Sequence, residues 1–261
     1  MTDFNKLNKI GTVKYGNTFA MLTSVDSTNN YIRRLSPILP DGFVAFATEQ
    51  LAGRGRQGKS FYSPDGGLYF SVLFKSPQIV SDGLFTAKIS LAVCRAIDKL
   101  TGTDASNGVG IKWVNDIYFG HKKLCGMLCE RLEDGNGKPY VIAGIGVNLV
   151  LDRGELPREL RNTVCSLFDI TKKHYDALEL ASLILGELEP LFDGSISGED
   201  FIREYSKRSI VVGHEITVLR GDEKIRAAAL EICADGSLLV RYEDGFTAKL
   251  CGGEISIRVK E

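Results

Sequence analysis

Gly53-Arg54-Gly55-Arg56-Gln57-Gly58-Lys59 crowds three cations into a run whose glycines keep the backbone thin. Backbone N–H groups and fixed positive side chains can converge there on an anionic ligand. Two apolar, β-prone runs flank it: residues 43–48 deliver Glu49 and Gln50 to the loop, and residues 68–74 leave it after the turn Pro64-Asp65-Gly66-Gly67. A loop pinned at both ends by strands reads as a cradle for phosphate or carboxylate mounted on a sheet. The alternative is a flexible Gly/Arg segment gripping nucleic acid, which usually comes with a basic field over a whole face. The 261 residues carry a formal net charge of -1, so the cations here are local.

Outward from the loop, strands alternate with helices. Residues 19–25 read as a strand running into Asp26-Ser27-Thr28-Asn29-Asn30, where a hydroxyl can cap the helix that continues through Tyr31, Ile32 and Leu35. Phe85, Ile89, Ala92, Val93, Ala96, Ile97 and Leu100 recur at helical spacing, with Ser81 or Asp82 placed as the cap. Residues 111–114, 117–119, 124–128 and 140–147 are apolar and β-prone, and 175–188 and 199–207 read as further helices. After residue 209 the helical period ends. Short strands follow, separated by the turn signals Asp222-Glu223, Asp235-Gly236 and Asp244-Gly245. The expected architecture is α+β: a mixed β-sheet domain over residues 1–206 with helices packed on one face, then a small SH3-like barrel over 207–261. No internal repeat, low-complexity tract or helix-turn-helix pattern precedes or interrupts it.

A hydrophobic content of 44% supports a sizeable core. Cys94, Cys125, Cys129, Cys165, Cys233 and Cys251 lack metal-finger spacing and read as free thiols suited to a reducing compartment. Residues 1–8 contain no signal-peptide core, and no run approaches the ~20 apolar residues of a membrane span. The expectation is a cytoplasmic protein with no membrane partner.

Three further segments carry chemistry. In Lys112-Trp113-Val114-Asn115-Asp116, a cation, an amide and a carboxylate stand at a strand end. They suit Mg²⁺ held jointly with nucleotide phosphates, or simply an ordinary turn beside a core ring. In Lys122-Lys123-Leu124-Cys125-Gly126, a lysine stands at the entrance of an apolar strand, where it can stabilise charge developing on a carboxylate or phosphate. In Gly144-Ile145-Gly146-Val147-Asn148, glycines at period two clear one strand face so that a flat ligand can lie against the backbone.

Taken together, Ser27-Thr28-Asn29, Glu49-Gln50, the cationic loop, Ser63-Pro64-Asp65-Gly66-Gly67-Leu68-Tyr69, the Lys112 and Lys123 segments and Gly144-Ile145-Gly146-Val147-Asn148 occur in the order and spacing of biotin protein ligases. The ending Gly252-Gly253-Glu254-Ile255-Ser256-Ile257-Arg258 resembles theirs as well. The resemblance covers nearly the whole chain. It departs at Val114, where the family commonly has proline, at Phe61, commonly tryptophan, and at Lys59, often arginine, which loses the bidentate fork.

The resemblance implies a class II synthetase-like catalytic domain and two half-reactions. Biotin and ATP give biotinyl-5′-AMP and pyrophosphate, and a lysine of a biotin carboxyl carrier domain then takes the biotinyl group. By position, Ser27, Thr28, Asn29, Gln50, Gly126 and Gly144 would line the biotin pocket. Arg54, Gly55, Arg56 and Lys123 would hold its carboxylate and the adenylate phosphate. Lys59, Lys112, Trp113, Asn115, Asp116 and Asn148, with Arg56, would meet the nucleotide, and Asp116 would place Mg²⁺. Arg54, Arg56, Lys123 and Lys112 would carry the catalysis, with no cysteine or serine nucleophile. The resemblance also implies no amino-terminal DNA-binding domain, hence no DNA binding, and it leaves a homodimer open. Lipoate or octanoate attachment is the related alternative; a non-catalytic nucleic-acid-binding module is the remote one.

Overall fold

The computed structural model describes residues 12, 14–220, 223–252 and 254–257. Asp222, Gly253, Arg258 and the stretch 1–8 discussed above lie outside the described residues. Among the described residues seven strands make the first sheet: β1 (Phe19–Val25), β2 (Val44–Gln50), β3 (Gly67–Phe74), β4 (Gly110–Lys112), β5 (Asp116–Phe119), β6 (Lys122–Glu133) and β7 (Pro139–Asn148). Their order is β1-β2-β3-β7-β6-β5-β4. The β1–β2 pair is parallel and the others are antiparallel, which makes the sheet mixed. Strand β6 extends well beyond the expected 124–128 because every residue from Cys125 to Glu133 finds a partner on β7. The ladder to β7 satisfies backbone groups along this stretch, so the strand continues even where its side chains turn polar.

Among the described residues six α-helices accompany it: α1 (Thr28–Leu35), α2 (Pro77–Val80), α3 (Phe85–Thr101), α4 (Leu167–Thr171), α5 (Ala177–Phe192) and α6 (Gly198–Lys207). The main core lies between one face of the sheet and helices α3 and α5, where Val44, Phe46, Phe70, Val72, Ile145 and Val147 meet Ile89, Val93, Ile184 and Leu188. The alternate positions Ala45, Leu73, Tyr140 and Ile142 point the other way and bury Ile32 of α1. Helices therefore cover both faces, a correction to the one-face expectation. Helix α1 is too short, at 8 residues, for its apolar side to stand out in the sequence.

Two caps also differ from expectation. No hydroxyl caps α1; Gln50 Oε1 on β2 accepts from the Thr28 amide at 3.0 Å instead. Helix α3 starts after Leu84, whose amide donates to Asp82 Oδ1 at 2.8 Å, so Asp82 acts from two residues before the cap position.

The chain then returns to the sheet edge. Ile111 N donates to Arg208 O at 2.7 Å and Ile210 N to Ile111 O at 3.0 Å, which zips the end of α6 onto β4. The buried Arg208 guanidinium meets buried Asp98 at 2.6 Å, fixing that crossing. Strands β8 (Glu215–Arg220), β9 (Glu223–Ile232), β10 (Leu238–Tyr242), β11 (Thr247–Leu250) and β12 (Glu254–Ile257) form an antiparallel five-stranded sheet ordered β11-β10-β9-β8-β12. Its apolar face, including Ile216, Val218, Leu238 and Ile255, is continuous with the main core. Trp113 Nε1 donates to Gly236 O at 3.0 Å, linking the β4–β5 turn to the β9–β10 turn.

Candidate active site

The cationic loop is a closed, tight structure. Phe61 N donates to Gly53 O, Gly55 N to Lys59 O and Lys59 N to Arg56 O, while Gln50 N bonds Ser63 O at its neck. Gln57 and Gly58 turn through positive φ (54° and 74°) to make the bend. That conformation favours glycine, so Gly58 is where the loop can reverse without strain. The reversal aims Arg56 inward, where its guanidinium donates to Asn115 Oδ1 at 3.0 Å; Asn115 Nδ2 in turn donates to Met127 O at 2.8 Å. Arg54 points along the opposite side, donating to Asn30 Oδ1 at 3.1 Å with Glu130 at 3.3 Å.

Beneath the loop lies a cavity of about 280 Å³. It collects Ser27, Thr28, Asn29, Gln50, Arg54, Gly55, Arg56, Lys59, Lys112, Trp113, Asn115, Asp116, Lys123, Gly126 and Gly144. These fifteen are every expected site residue but Asn148. Ile255 of β12 closes one wall, so the second sheet reaches the site.

The floor is the glycine face of β6 and β7, where Gly126 pairs Gly146 and Leu128 pairs Gly144. The face is cleared as expected, but protein side chains occupy part of it. A β-carbon on Gly144 would meet Asn29 Oδ1 at 2.3 Å, and one on Gly146 would meet the Phe61 ring at 2.5 Å. The missing side chains thus seat Asn29 and Phe61 before they seat any ligand.

One end of the cavity is polar and ordered. Ser71 Oγ donates to Asn29 Oδ1 at 2.6 Å and lies 2.7 Å from Thr28 Oγ1, while Asn29 Nδ2 donates to Leu128 O at 3.2 Å and to Glu130 Oε2 at 2.9 Å. Gln50 Nε2 donates to Ser63 Oγ at 3.0 Å. Asp26, which precedes this cluster, has its carboxyl held well below the usual range by the Arg34 guanidinium, with Asn30 helping. The other end is charged. Lys123 Nζ sits 2.8 Å from Asp116 Oδ1 and 5.6 Å above the Phe61 ring; Lys112 Nζ lies over the Tyr118 ring at 5.2 Å. Lys123 is fixed through its backbone as well, since its N–H bonds Thr163 O and its carbonyl accepts from Cys165 N.

Asn148 stands apart, in a second cavity of about 650 Å³ that shares Gln50, Ser60, Phe61 and Lys123 with the first. Its amide donates to Cys165 O at 3.0 Å. Leu151, Leu156, Leu160 and Val164 give this chamber an apolar lining. Two chambers of different chemistry therefore meet at Lys123 and Phe61. The sequence reading did not assign roles to Phe61, Ser71, Glu130 or Ile255. Glu130 follows Gly126 and Leu128 at period two on the floor face of β6, a signal that was available; Ser71 and Ile255 are placed by tertiary packing alone.

All six cysteines are free, and burial pushes the Cys94 thiol up to about 12 and that of Cys165 to about 11. Neither is a ready nucleophile. No group of three or more His, Cys, Asp or Glu that could hold a metal occurs among the described residues, and none of their helices is long and apolar enough to cross a membrane.

A mixed sheet carries a cationic loop folded over a glycine floor, with a lysine where a polar and an apolar chamber join, an arrangement suited to an anionic ligand with one polar and one apolar end. Comparison with known proteins specifies it. Residues 21–148 match the Biotin/lipoate A/B protein ligase family. The Escherichia coli bifunctional ligase/repressor BirA is 28% identical over 251 residues, covering 94% of this chain and 76% of that protein. A biotin--[acetyl-CoA-carboxylase] ligase of Mycobacterium tuberculosis is 27% identical over 220 residues, 82% of this chain and 79% of the relative. The Aquifex aeolicus biotin protein ligase, solved with biotin and ATP, superposes with a TM-score of 0.80 at 28% identity, covering 94% of this chain and all of that one. The chain carries a biotin/lipoate A/B protein ligase domain and is a homologue of the biotin protein ligases.

Proposed function

We infer that this chain is a biotin protein ligase, which forms biotinyl-5′-AMP from biotin and ATP and transfers the biotinyl group to a lysine of a carboxyl carrier domain. The observation that carries the reading is the meeting of two chambers at Lys123. The polar chamber presents Thr28, Asn29 and Gln50 to a ureido ring, with Ser71 behind them holding the Asn29 amide. A ureido ring can exchange hydrogen bonds with these side chains, whereas a lipoyl dithiolane or octanoyl chain offers them none. The apolar chamber beside Asn148 accepts an adenine ring, and the α-phosphate then lies at the junction.

There the chemistry follows from charge. The biotin carboxylate oxygen attacks the α-phosphorus, and the bond to the β-phosphate breaks as pyrophosphate leaves. Lys123, Arg54 and Arg56 stabilise negative charge on the attacking carboxylate and on the phosphate, while Lys112 and Lys59 face the departing pyrophosphate. Asp116 and Asn115 supply hard oxygens at this end, a sparse donor set that fits Mg²⁺ held largely by nucleotide phosphates and water. Bound there, the ion would neutralise phosphate charge. In the second half-reaction the acceptor amine attacks the acyl carbon, loses a proton, and AMP departs with the former carboxylate oxygen. The loop above the anhydride keeps water from it.

Residues 1–206 would then be the catalytic unit and 207–261 a second unit whose Ile255 seals the pocket. Strand β1 has a sheet neighbour on one side only among the described residues, so its open edge suits pairing with the carrier domain or with a second copy. The free cysteines favour the cytoplasm. The test is incubation with biotin, Mg-ATP and an acceptor domain, read by mass spectrometry. One added biotinyl group supports the proposal; an acceptor that stays unmodified, or is modified equally by lipoate, refutes it.

A further inference from the structure

Groups from two separate elements converge on the Glu130 carboxylate. Asn29 Nδ2 donates to it at 2.9 Å, Arg33 one turn further along α1 at 2.5 Å, and Arg54 of the cationic loop lies at 3.3 Å. The Glu130 side chain is 14% exposed, so these contacts are partly sheltered from water. Glu130 does not itself line the cavity.

Its position has two consequences. A carboxylate only accepts hydrogen bonds, so Asn29 must turn its NH₂ toward Glu130 and Leu128 O and its oxygen toward Ser71. The amide is thereby held in one of its two orientations at the polar end of the cavity. The second consequence is mechanical. Arg54 reaches α1 both through Asn30 and through Glu130, and the second contact ties the loop to the floor strand β6 as well. Two guanidiniums sharing one sheltered carboxylate bind it more firmly than a single exposed pair would.

We propose that Glu130 is a positioning residue that latches the 53–59 loop to α1 and β6 and fixes the Asn29 amide, so that it governs biotin affinity and the retention of the activated adenylate. The inference rests on the ligase reading for its ligands, though not for the latch itself. Glu130→Gln keeps the shape and removes the charge.

Three measurements on the full chain test it. In biotin-dependent pyrophosphate exchange, the KM for biotin should rise about tenfold or more while kcat stays within about threefold. Biotinyl-AMP, formed on the protein and chased, should leave at least about tenfold faster. Trypsin should cut after Arg54 or Arg56 of the ligand-free protein at least about tenfold faster, while Glu133→Gln on the same strand behaves as wild type. Unchanged trypsin cleavage together with an unchanged biotin KM overturns the proposal. If the wild type shows no biotin-dependent exchange, the ligase reading fails and the trypsin comparison alone upholds or overturns the latch. Should Glu130→Gln not fold, Glu130→Asp keeps the charge but shortens its reach, and the same outcomes decide.

Discussion

Replacing Gly144 by alanine puts the glycine floor to a quantitative test. The new methyl carbon would stand 2.3 Å from Asn29 Oδ1 and 3.0 Å from its Cγ, so the amide must move. Asn29 sits in the first turn of α1, anchored by Gln50 at the preceding residue, and its backbone has little room to follow. Displacing the amide breaks the 2.6 Å bond from Ser71 and the 2.9 Å bond to Glu130. A neutral hydrogen bond contributes ~1 kcal/mol and one to a charged group ~1.5–3, while alanine returns ~0.5–1 by restricting the unfolded chain, a net loss of about 2–3 kcal/mol. Urea unfolding should show that loss as a lower midpoint, and calorimetry should show biotin affinity falling by at least about tenfold. Gly146→Ala makes the contrast. Its methyl meets the Phe61 ring at 2.5 Å, but a terminal ring can turn aside, so stability should fall by only about 1 kcal/mol. A Gly144→Ala protein as stable as wild type, binding biotin normally, would refute the reasoning.

Further outcomes can be checked more briefly. Arg56→Ala and Lys123→Ala should each cost about 2–4 kcal/mol of transition-state stabilisation in adenylate formation while the protein stays folded by circular dichroism; wild-type exchange rates would contradict the assigned roles. Under native conditions iodoacetamide should label exposed Cys251 well before buried Cys94, Cys125 or Cys165, and alkylated protein should still form adenylate; rapid loss of activity would point to a thiol in the chemistry. The Arg95 guanidinium holds the Glu204 carboxyl below its usual range, chiefly by hydrogen bonding. Because the folded value is depressed, that stabilisation is present above the unfolded value of ~4.3 and is lost as pH falls through the folded one. Glu204→Gln should therefore flatten the acid limb of a thermal stability profile below about pH 4 without changing its shape above pH 6.

The parts of the site that the sequence exposes are those where one residue type does something its neighbours cannot. Alternating glycine and arginine from Gly53 to Lys59, and glycine at period two in β7, are visible because each is unfavourable without a reason. The seven-strand sheet is legible on the same grounds, since its apolar runs are β-prone and short. What stays hidden depends on pairing across distance. Helix α1 lies on the far face because Ile32 meets Ala45, Leu73 and Ile142, contacts that no local period announces. The cap on that helix comes from Gln50, 22 residues further along. Asn148 falls into a separate chamber because the 163–165 segment folds back along Lys123. Ile255 reaches the pocket only because the end of α6 zips onto β4 and sets the second sheet against the first.

That architecture also constrains how the site spends its positive charge. Arg54 faces Glu130, Arg56 donates to Asn115 and Lys123 pairs with Asp116, so each strongly placed cation already has a protein partner. An anionic ligand then exchanges one partner for another and does not simply fill an uncompensated field. Ground-state affinity gained per contact is correspondingly modest, because breaking the internal pair offsets much of the new attraction. The balance shifts as charge builds on the carboxylate, the α-phosphate and the leaving pyrophosphate, where an acceptor of higher charge density outcompetes a neutral amide or a carboxylate already shared. Preorganised cations held by partners they can release favour the transition state over the substrate, which is the condition for raising kcat. On this argument the internal partners matter as much as the cations. Asn115→Ala, which frees Arg56 in the resting protein, should tighten binding of the nonreacting nucleotide while slowing adenylate formation, whereas a simple loss of both would mean that Asn115 acts only as a ligand.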